Sequence, residues 1–410
     1  MDEPLRVLIS GASVGGPTAA YWLARGGCAV TVVERMSLSR VRTGGHAVDL
    51  FGPALDVADW TGVLPAVMQA RTRTEVVSFQ REDGRGVDLD MTRLVAGISH
   101  RHVEVMRGEL AAALYGASRD DVDYRFEDSI RTLDQRPDGV VVTFDKAPPE
   151  RFDLVIGADG LHSIVRRLTF GDEARFLQFL GGYLAIFVLP DYVGLGRRMI
   201  VHNGPGRLAA LYPVRQTRQA RAGFLFRRTE ELPVGHRDVI EQKRVLRGVY
   251  RGDRWQVPRL LDEMDAADDF YFDSISQVVM PAWSQGRVTL VGDAGYSPGP
   301  AVGGGTSLAM VGAYVLAREV GRATDLEGGL RAYEDAVRDC VLAFRRIGPS
   351  VMKTLIPQTR IGARLMPHVL DGLTRLPGPV QARLSRLQAT PATALNAVQL
   401  SPPPMTGSPS

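Results

Sequence analysis

Residues 6–34 read RVLISGASVGGPTAAYWLARGGCAVTVVE, and the order of signals in this stretch decides the class of fold. Arg6–Ser10 is a short apolar strand, Gly11–Gly16 a glycine-rich turn, and Pro17–Gly26 carries small and apolar residues at helical spacing. Ala29–Val33 is a second, β-branched strand ending at Glu34. Strand, turn, helix and strand within about 30 residues is the size of one βαβ unit. Gly11-Ala12-Ser13-Val14-Gly15-Gly16 matches G-x-G-x-x-G except that Ser13 holds the middle position. Gly11 permits the tight turn, Gly16 lets the helix lie close to the strand, and the helix N-terminus presents free N–H groups to a pyrophosphate. The small side chain of Ser13 hinders close phosphate approach only slightly. Glu34, at the end of the second strand, is placed to accept hydrogen bonds from the ribose hydroxyls of an adenosine. An acid there disfavours a 2′-phosphate, so the turn suits FAD or NAD rather than NADP. This fingerprint alone does not separate FAD from NAD.

Outward from this unit, Arg107–Tyr115 reads as a helix, and Val140–Phe144 and Phe152–Ile156 as strands. From Leu177 to Trp283 the character changes to short strand-like runs: Tyr183–Leu189, Met199–His202, Arg207–Tyr212, Ala222–Arg228 and Phe270–Val279. We read an α/β fold: a Rossmann-like FAD-binding domain, a second, mostly antiparallel β-sheet substrate domain, and C-terminal helices. The expected division is discontinuous, with 1–72, 100–176 and 284–324 binding the nucleotide and 73–99 and 177–283 forming the sheet domain. Residues 325–388 are expected to be helical with breaks at Pro349, Pro357, Pro367 and Pro377, and the Pro/Ser/Thr-rich 389–410 to be a flexible tail.

Composition narrows the function. The formal charge of +3, from 49 basic and 46 acidic residues, is too even to argue for a nucleic-acid partner. Two cysteines, Cys28 and Cys340, are too few for a disulfide framework or a metal site, so the expected compartment is the cytoplasm. No run is long and apolar enough to suggest an integral membrane segment.

Two distal segments discriminate between the cofactors. Asp153-Leu-Val-Ile-Gly157-Ala-Asp159-Gly160, followed by Ser163 and Arg166, is a buried strand entering a polar turn. Gly286-Arg287-Val288, then Val291-Gly292-Asp293-Ala294 and, after Pro300, Gly303-Gly304-Gly305, is a strand leading to a second glycine-rich helix start. Asp293 sits where a ribitol could be hydrogen-bonded, and the helix N-terminus at Gly305–Thr306 suits negative charge on a reduced flavin ring. The ordered trio of G-x-G-x-x-G, D-G and G-D resembles the group A FAD-dependent monooxygenases, the para-hydroxybenzoate hydroxylase-like family, over roughly residues 5–350. Arg42-Thr-Gly-Gly-His46-Ala-Val-Asp49-Leu50 is most similar to the tetracycline-inactivating monooxygenases and actinobacterial relatives acting on polyketides.

The resemblance implies non-covalent FAD, with NADPH or NADH and O₂ as co-substrates, and an aromatic or polyketide-like molecule oxygenated through a flavin hydroperoxide. It places Gly11, Ser13, Gly16, Glu34, Arg35, Arg42, Asp49, Arg107, Asp159, Gly292, Asp293, Pro300, Gly303, Gly304 and Gly305 against the cofactor. No residue is assigned a catalytic role, because the cofactor carries the chemistry. Tyr296 stands where many relatives have histidine, and Gly304 where they have glutamine. Tyr212, Phe224 and Phe226 are the candidate substrate contacts, since aromatics alternating along strands can line one apolar face. His46 and His202 read as hydrogen-bonded structural histidines. A monomer or weak dimer is expected. A non-oxygenating flavoprotein (reductase, dehydrogenase or halogenase-like) and a flavin-binding protein without turnover remain the alternatives.

Overall fold

The structure, a computed structural model, describes residues 3–81, 85–91, 93, 99, 101–214, 218–376 and 390–403. Its first sheet has six strands in the order 284–285, 288–290, 154–157, 6–10, 29–34, 123–126. Four neighbouring pairs are parallel, and only the short edge strand Ser284–Gln285 runs the other way. The strand Arg6–Ser10 sits centrally, buried from Val7 to Ser10, because helices cover both faces of a parallel sheet and leave no polar side to alternate with. The helices Gly15–Arg25 and Gly305–Arg322 pack side by side over it.

The second sheet has seven strands, in the order 271–278, 177–190, 219–227, 207–213, 198–204, 76–80, 86–90. It is antiparallel except between Arg198–Gly204 and Val76–Gln80. Its two faces have different partners. Ala222, Phe224 and Phe226 point outward, into a closed cluster with Tyr250, Leu260 and Met264 from the helices Val239–Val249 and Val257–Ala266 and the residue following the first. Arg221, Gly223 and Leu225 alternate to the inner face, where the register sets Ile186, Gly223 and Ala210 side by side in one row. Smaller apolar clusters cover parts of that inner face, one with Met352 and Ile356, the other with Leu370.

The C-terminal helices depart from expectation. Leu326–Leu355 runs through Pro349, and Arg360–Thr374 runs through Pro367. A proline inside a helix leaves the carbonyl four residues back without its N–H donor. Here both carbonyls are taken by side-chain amides from the sheet domain: Gln277 Nε2 donates to Arg345 O at 3.1 Å and Asn203 Nδ2 to Ala363 O at 2.6 Å. Only Pro357 falls between helices; Pro377 lies outside the described residues.

The expected flexible tail is also corrected where it is described. Thr390 caps a short helix, Pro391–Leu395, in a capping box, and Leu395 and Val398 are buried in the core cluster around the first sheet. Tyr314 Oη donates to Ser401 O at 2.7 Å. Alanines, a leucine and a valine among the prolines supply the apolar anchor that a composition-based reading overlooks. Among the described residues, no helix is long and apolar enough to cross a membrane.

Candidate active site

The glycine turn is built as its chemistry requires. Gly11 has φ +106°, and a Cβ on Gly16 would overlap the Gly11 carbonyl oxygen, so only glycine lets this helix close onto the strand. The helix start at Val14–Gly15 has no side-chain cap, which leaves its first amides to an outside acceptor. Ser13 is half-buried in the same turn. Glu34 is buried beneath it and accepts hydrogen bonds from Ala12 N–H at 2.8 Å and Met36 N–H at 2.9 Å. Arg35 and Arg42 are exposed.

Beyond the turn, a cavity lies between the elements around the first sheet and the inner face of the second sheet. Asp49, Arg107, Asp293, Pro300 and Gly303–Gly305 line it, so these expected residues converge in space. Gly303 and Gly304 have φ of +74° and +72°, and Gly304 N-caps the 18-residue helix Gly305–Arg322 without a side-chain cap. That uncapped helix start points at the cavity, a seat for developing negative charge. Gly292, at φ +64°, turns the chain so that Asp293 begins a short helix. Burial pushes the Asp293 carboxyl up, while a Ser297 hydrogen bond and the Arg107 charge pull it down.

Asp159 is elsewhere. Its carboxylate accepts from Ser10 Oγ at 3.2 Å, Ser163 Oγ at 2.5 Å and the Ile164 and Val165 amides, tying a strand end to a helix start. Tyr296 also turns away from the cavity: its hydroxyl lies 2.9 Å from Tyr333 Oη in the core, in space left open by Gly312.

Of the three candidate substrate contacts, only Tyr212 is on the cavity side of the sheet. It pairs across the strands with Arg221, and burial pushes its hydroxyl pKa well up. Phe224 and Phe226 lie on the far face, packed edge-on against Tyr250 at 4.7 and 6.4 Å. The strand alternation therefore separates Tyr212 from Phe224 and Phe226, and the expected contact of these two phenylalanines with the cavity is corrected: they pack under the outer helices.

Several cavity residues were not among the candidates. Arg221 is 4% exposed; its Nη1 donates to Asp269 at 3.3 Å and Nη2 to Thr43 O at 3.2 Å, while Nε has no partner among the described residues. The available signal was an arginine at an inward position of the strand Gln219–Arg227, whose other residues from Ala220 to Phe226 are apolar or glycine. His46, expected to be structural, lines the cavity. Burial, reinforced by Arg107 and then Arg221, lowers its pKa to about 3, so the ring is neutral. His102 Nε2 lies 2.7 Å from Asp49 Oδ1 and orients that carboxylate at the cavity edge. His202 is a structural histidine: its Nδ1 lies 3.0 Å from Gln80 O, and its ring stacks on Trp255.

Tyr271 lines the cavity and its hydroxyl donates to Asp273 at 3.4 Å. Asp273 also holds His162 Nε2 at 3.1 Å, and Glu173 holds His162 Nδ1 at 2.9 Å. Burial opposes charge on His162, but the hydrogen bonds and charges of Asp273 and Glu173 outweigh it, and the pKa rises to about 9. A raised histidine pKa contributes stability that is complete below its ordinary 6.5 and is lost as pH rises through about 9. His162→Gln is therefore expected to flatten the fall in stability between pH 6.5 and 9, measured by urea unfolding across that range. An unchanged slope would show that the triad is not charged.

The uncapped helix starts, the glycine cradle and the two cavity arginines fit a dinucleotide. A family model described as FAD binding domain matches residues 4–343. A flavin-dependent monooxygenase of Legionella longbeachae is 34% identical over 366 residues, 89% of this chain and 93% of that protein. An uncharacterized protein of Mycobacterium tuberculosis is 45% identical over 321 residues, 78% of this chain and 86% of that protein. Among solved structures, the tetracycline destructase Tet(55) superposes with a TM-score of 0.79 at 34% identity, covering 92% of this chain and 97% of that one.

Proposed function

Because the chain belongs to the FAD-binding flavin-dependent monooxygenases of group A, we propose that it uses NAD(P)H and O₂ to oxygenate, by hydroxylation, an aromatic or polyketide-like small molecule. The observation that carries the substrate class is the inner face of the sheet. Gly223, paired with Ile186 across the strands, leaves space beside it: a Cβ there would meet only Tyr212 Cε1, at 3.9 Å. Ile186 and Arg221 both line the cavity, so a flat, largely apolar molecule can lie against Ile186 with one edge at Arg221.

Bound FAD would supply electron transfer from NAD(P)H and activation of O₂; the protein binds, orients and keeps water out. The turn at Gly11–Gly16 would take the pyrophosphate, Glu34 the ribose, Asp293 the ribitol side, and Pro300–Gly305 the ring, with Arg107 beside it. Arg221, a buried guanidinium lining the cavity, suits an anionic oxygen on the substrate, such as an enolate or phenolate. His46, held neutral, adds a hydrogen-bonding group without a second charge.

The direct test is NADPH and NADH oxidation by the purified yellow protein, with and without polycyclic phenols and β-diketones, with product analysed by mass. Arg221→Met is expected to retain FAD and raise KM for an acidic ligand roughly tenfold to a hundredfold, the cost of losing a charged hydrogen bond. Oxidation unaffected by every ligand, with no mass gain of one oxygen, would refute the monooxygenase reading. An unchanged KM in Arg221→Met would remove only the anionic anchor.

A further inference from the structure

We propose that the helix Arg360–Thr374 docks the protein onto an anionic membrane surface. One side of this 15-residue helix is buried: Ala363, Pro367 and Thr374 turn inward, and Leu370 packs against the sheet cluster of Val77, Leu89 and Val201. Directly opposite, Ile361, Leu365 and Val369 are 71%, 54% and 57% exposed. Their spacing of four residues puts them in one row along the helix. Single exposed apolar residues are ordinary on a protein surface, but a continuous outward row marks an interaction site.

Charge beside the row identifies what it meets. Arg360, Arg364 and His368 repeat at the same spacing on the adjoining flank, and Arg81 Nη2 lies 3.4 Å from His368 Nε2. Among the described residues no carboxylate ion-pairs with Arg360 or Arg364. The single acid of the helix, Asp371, is held by Arg375 at 2.9 Å. A second copy of this chain docking through the same row would bring arginines against arginines with no free acid to receive them. A bilayer containing anionic lipid satisfies both features: the aliphatic side chains enter the headgroup–acyl boundary and the guanidinium groups meet phosphates. The helix is roughly 22 Å long at 1.5 Å per residue, so the contact lies flat and peripheral. The inference does not depend on the substrate assignment. It would, however, set the cavity-side face of the sheet, which this helix covers, against the bilayer.

The test is co-sedimentation of the full-length flavin-loaded protein with vesicles of phosphatidylcholine alone or mixed with phosphatidylglycerol, at low and high salt. Salt-sensitive binding to the mixed vesicles, several-fold stronger than to phosphatidylcholine, is expected. Leu365→Glu/Val369→Glu should abolish it, and Arg360→Ala/Arg364→Ala should weaken it roughly tenfold or more and erase the preference for the anionic lipid. All four positions are exposed, so flavin content and melting temperature serve as folding controls and should stay at the parent values. Full-length protein that remains in the supernatant with both vesicle types overturns the proposal. So does vesicle binding that survives Leu365→Glu/Val369→Glu, or a dimer in light scattering that this double variant dissociates while neither form binds vesicles.

Discussion

Gly16→Ala is expected to yield protein that purifies without flavin, whereas Gly15→Ala keeps it. The two glycines are neighbours at the start of the same helix, yet their surroundings differ. A methyl group on Gly16 would overlap the Gly11 carbonyl oxygen and come within 3.5 Å of Ile9 Cγ2 on the central strand. The helix must then move off the strand, and the amides at its uncapped start move with it, away from the place where a pyrophosphate is held. A methyl group on Gly15 meets Ala309 Cβ at 3.7 Å and Val291 Cγ1 at 3.8 Å, ordinary packing distances. Overpacking of the Gly16 kind costs about 1–3 kcal/mol of stability. The loss of cofactor affinity should be larger than this, because every amide in the cradle is displaced together. The visible absorbance of each variant, before and after titration with FAD, decides the matter. Equal flavin content in the two variants would mean that the cradle is not where the pyrophosphate sits.

Phe224→Ala should destabilise the protein by about 3–5 kcal/mol, the usual cost of emptying an aromatic site in a closed core. Phe224 is fully buried against Tyr250, whose hydroxyl lies between Leu208 O and Leu225 O, at 2.7 and 2.8 Å, with its one proton shared between them. The void left behind would lie between the sheet and its two outer helices, separated from the lined cavity by the thickness of the sheet. If the proposed reaction holds, the variant below its melting temperature should therefore keep the parent's KM and its coupling of NAD(P)H oxidation to product. A thermal midpoint that barely moves, together with a raised KM or uncoupled oxidation, would put Phe224 at the ligand and overturn the assignment of the two faces.

The nucleotide unit was legible because its constraints are local. Within residues 6–34 the change from apolar strand to glycine turn to helical spacing, and the acid at Glu34, each act on neighbouring residues, and the structure builds them with the same boundaries to within two residues. The later motifs at Gly157–Gly160 and Gly292–Asp293 were legible for the same reason: a buried strand running into a glycine turn leaves a pattern in one short stretch. Tertiary structure decided what depends on partners far along the chain. Period-two alternation separates Arg221 and Gly223 from Ala222, Phe224 and Phe226, but which set meets the cavity depends on the outer helices 239–249 and 257–266, which cover one face. His46 is a cavity residue kept neutral by burial and, after it, by Arg107 and Arg221, 61 and 175 positions away, which line the same cavity. Pro349 and Pro367 were read as breaks by a local rule, yet each freed carbonyl is bonded by an amide from a distant strand, Gln277 or Asn203. Local sterics and periodicity can be read from neighbouring residues; the satisfaction of a buried polar group, or the choice of a sheet's open face, exists only once distant segments have packed together.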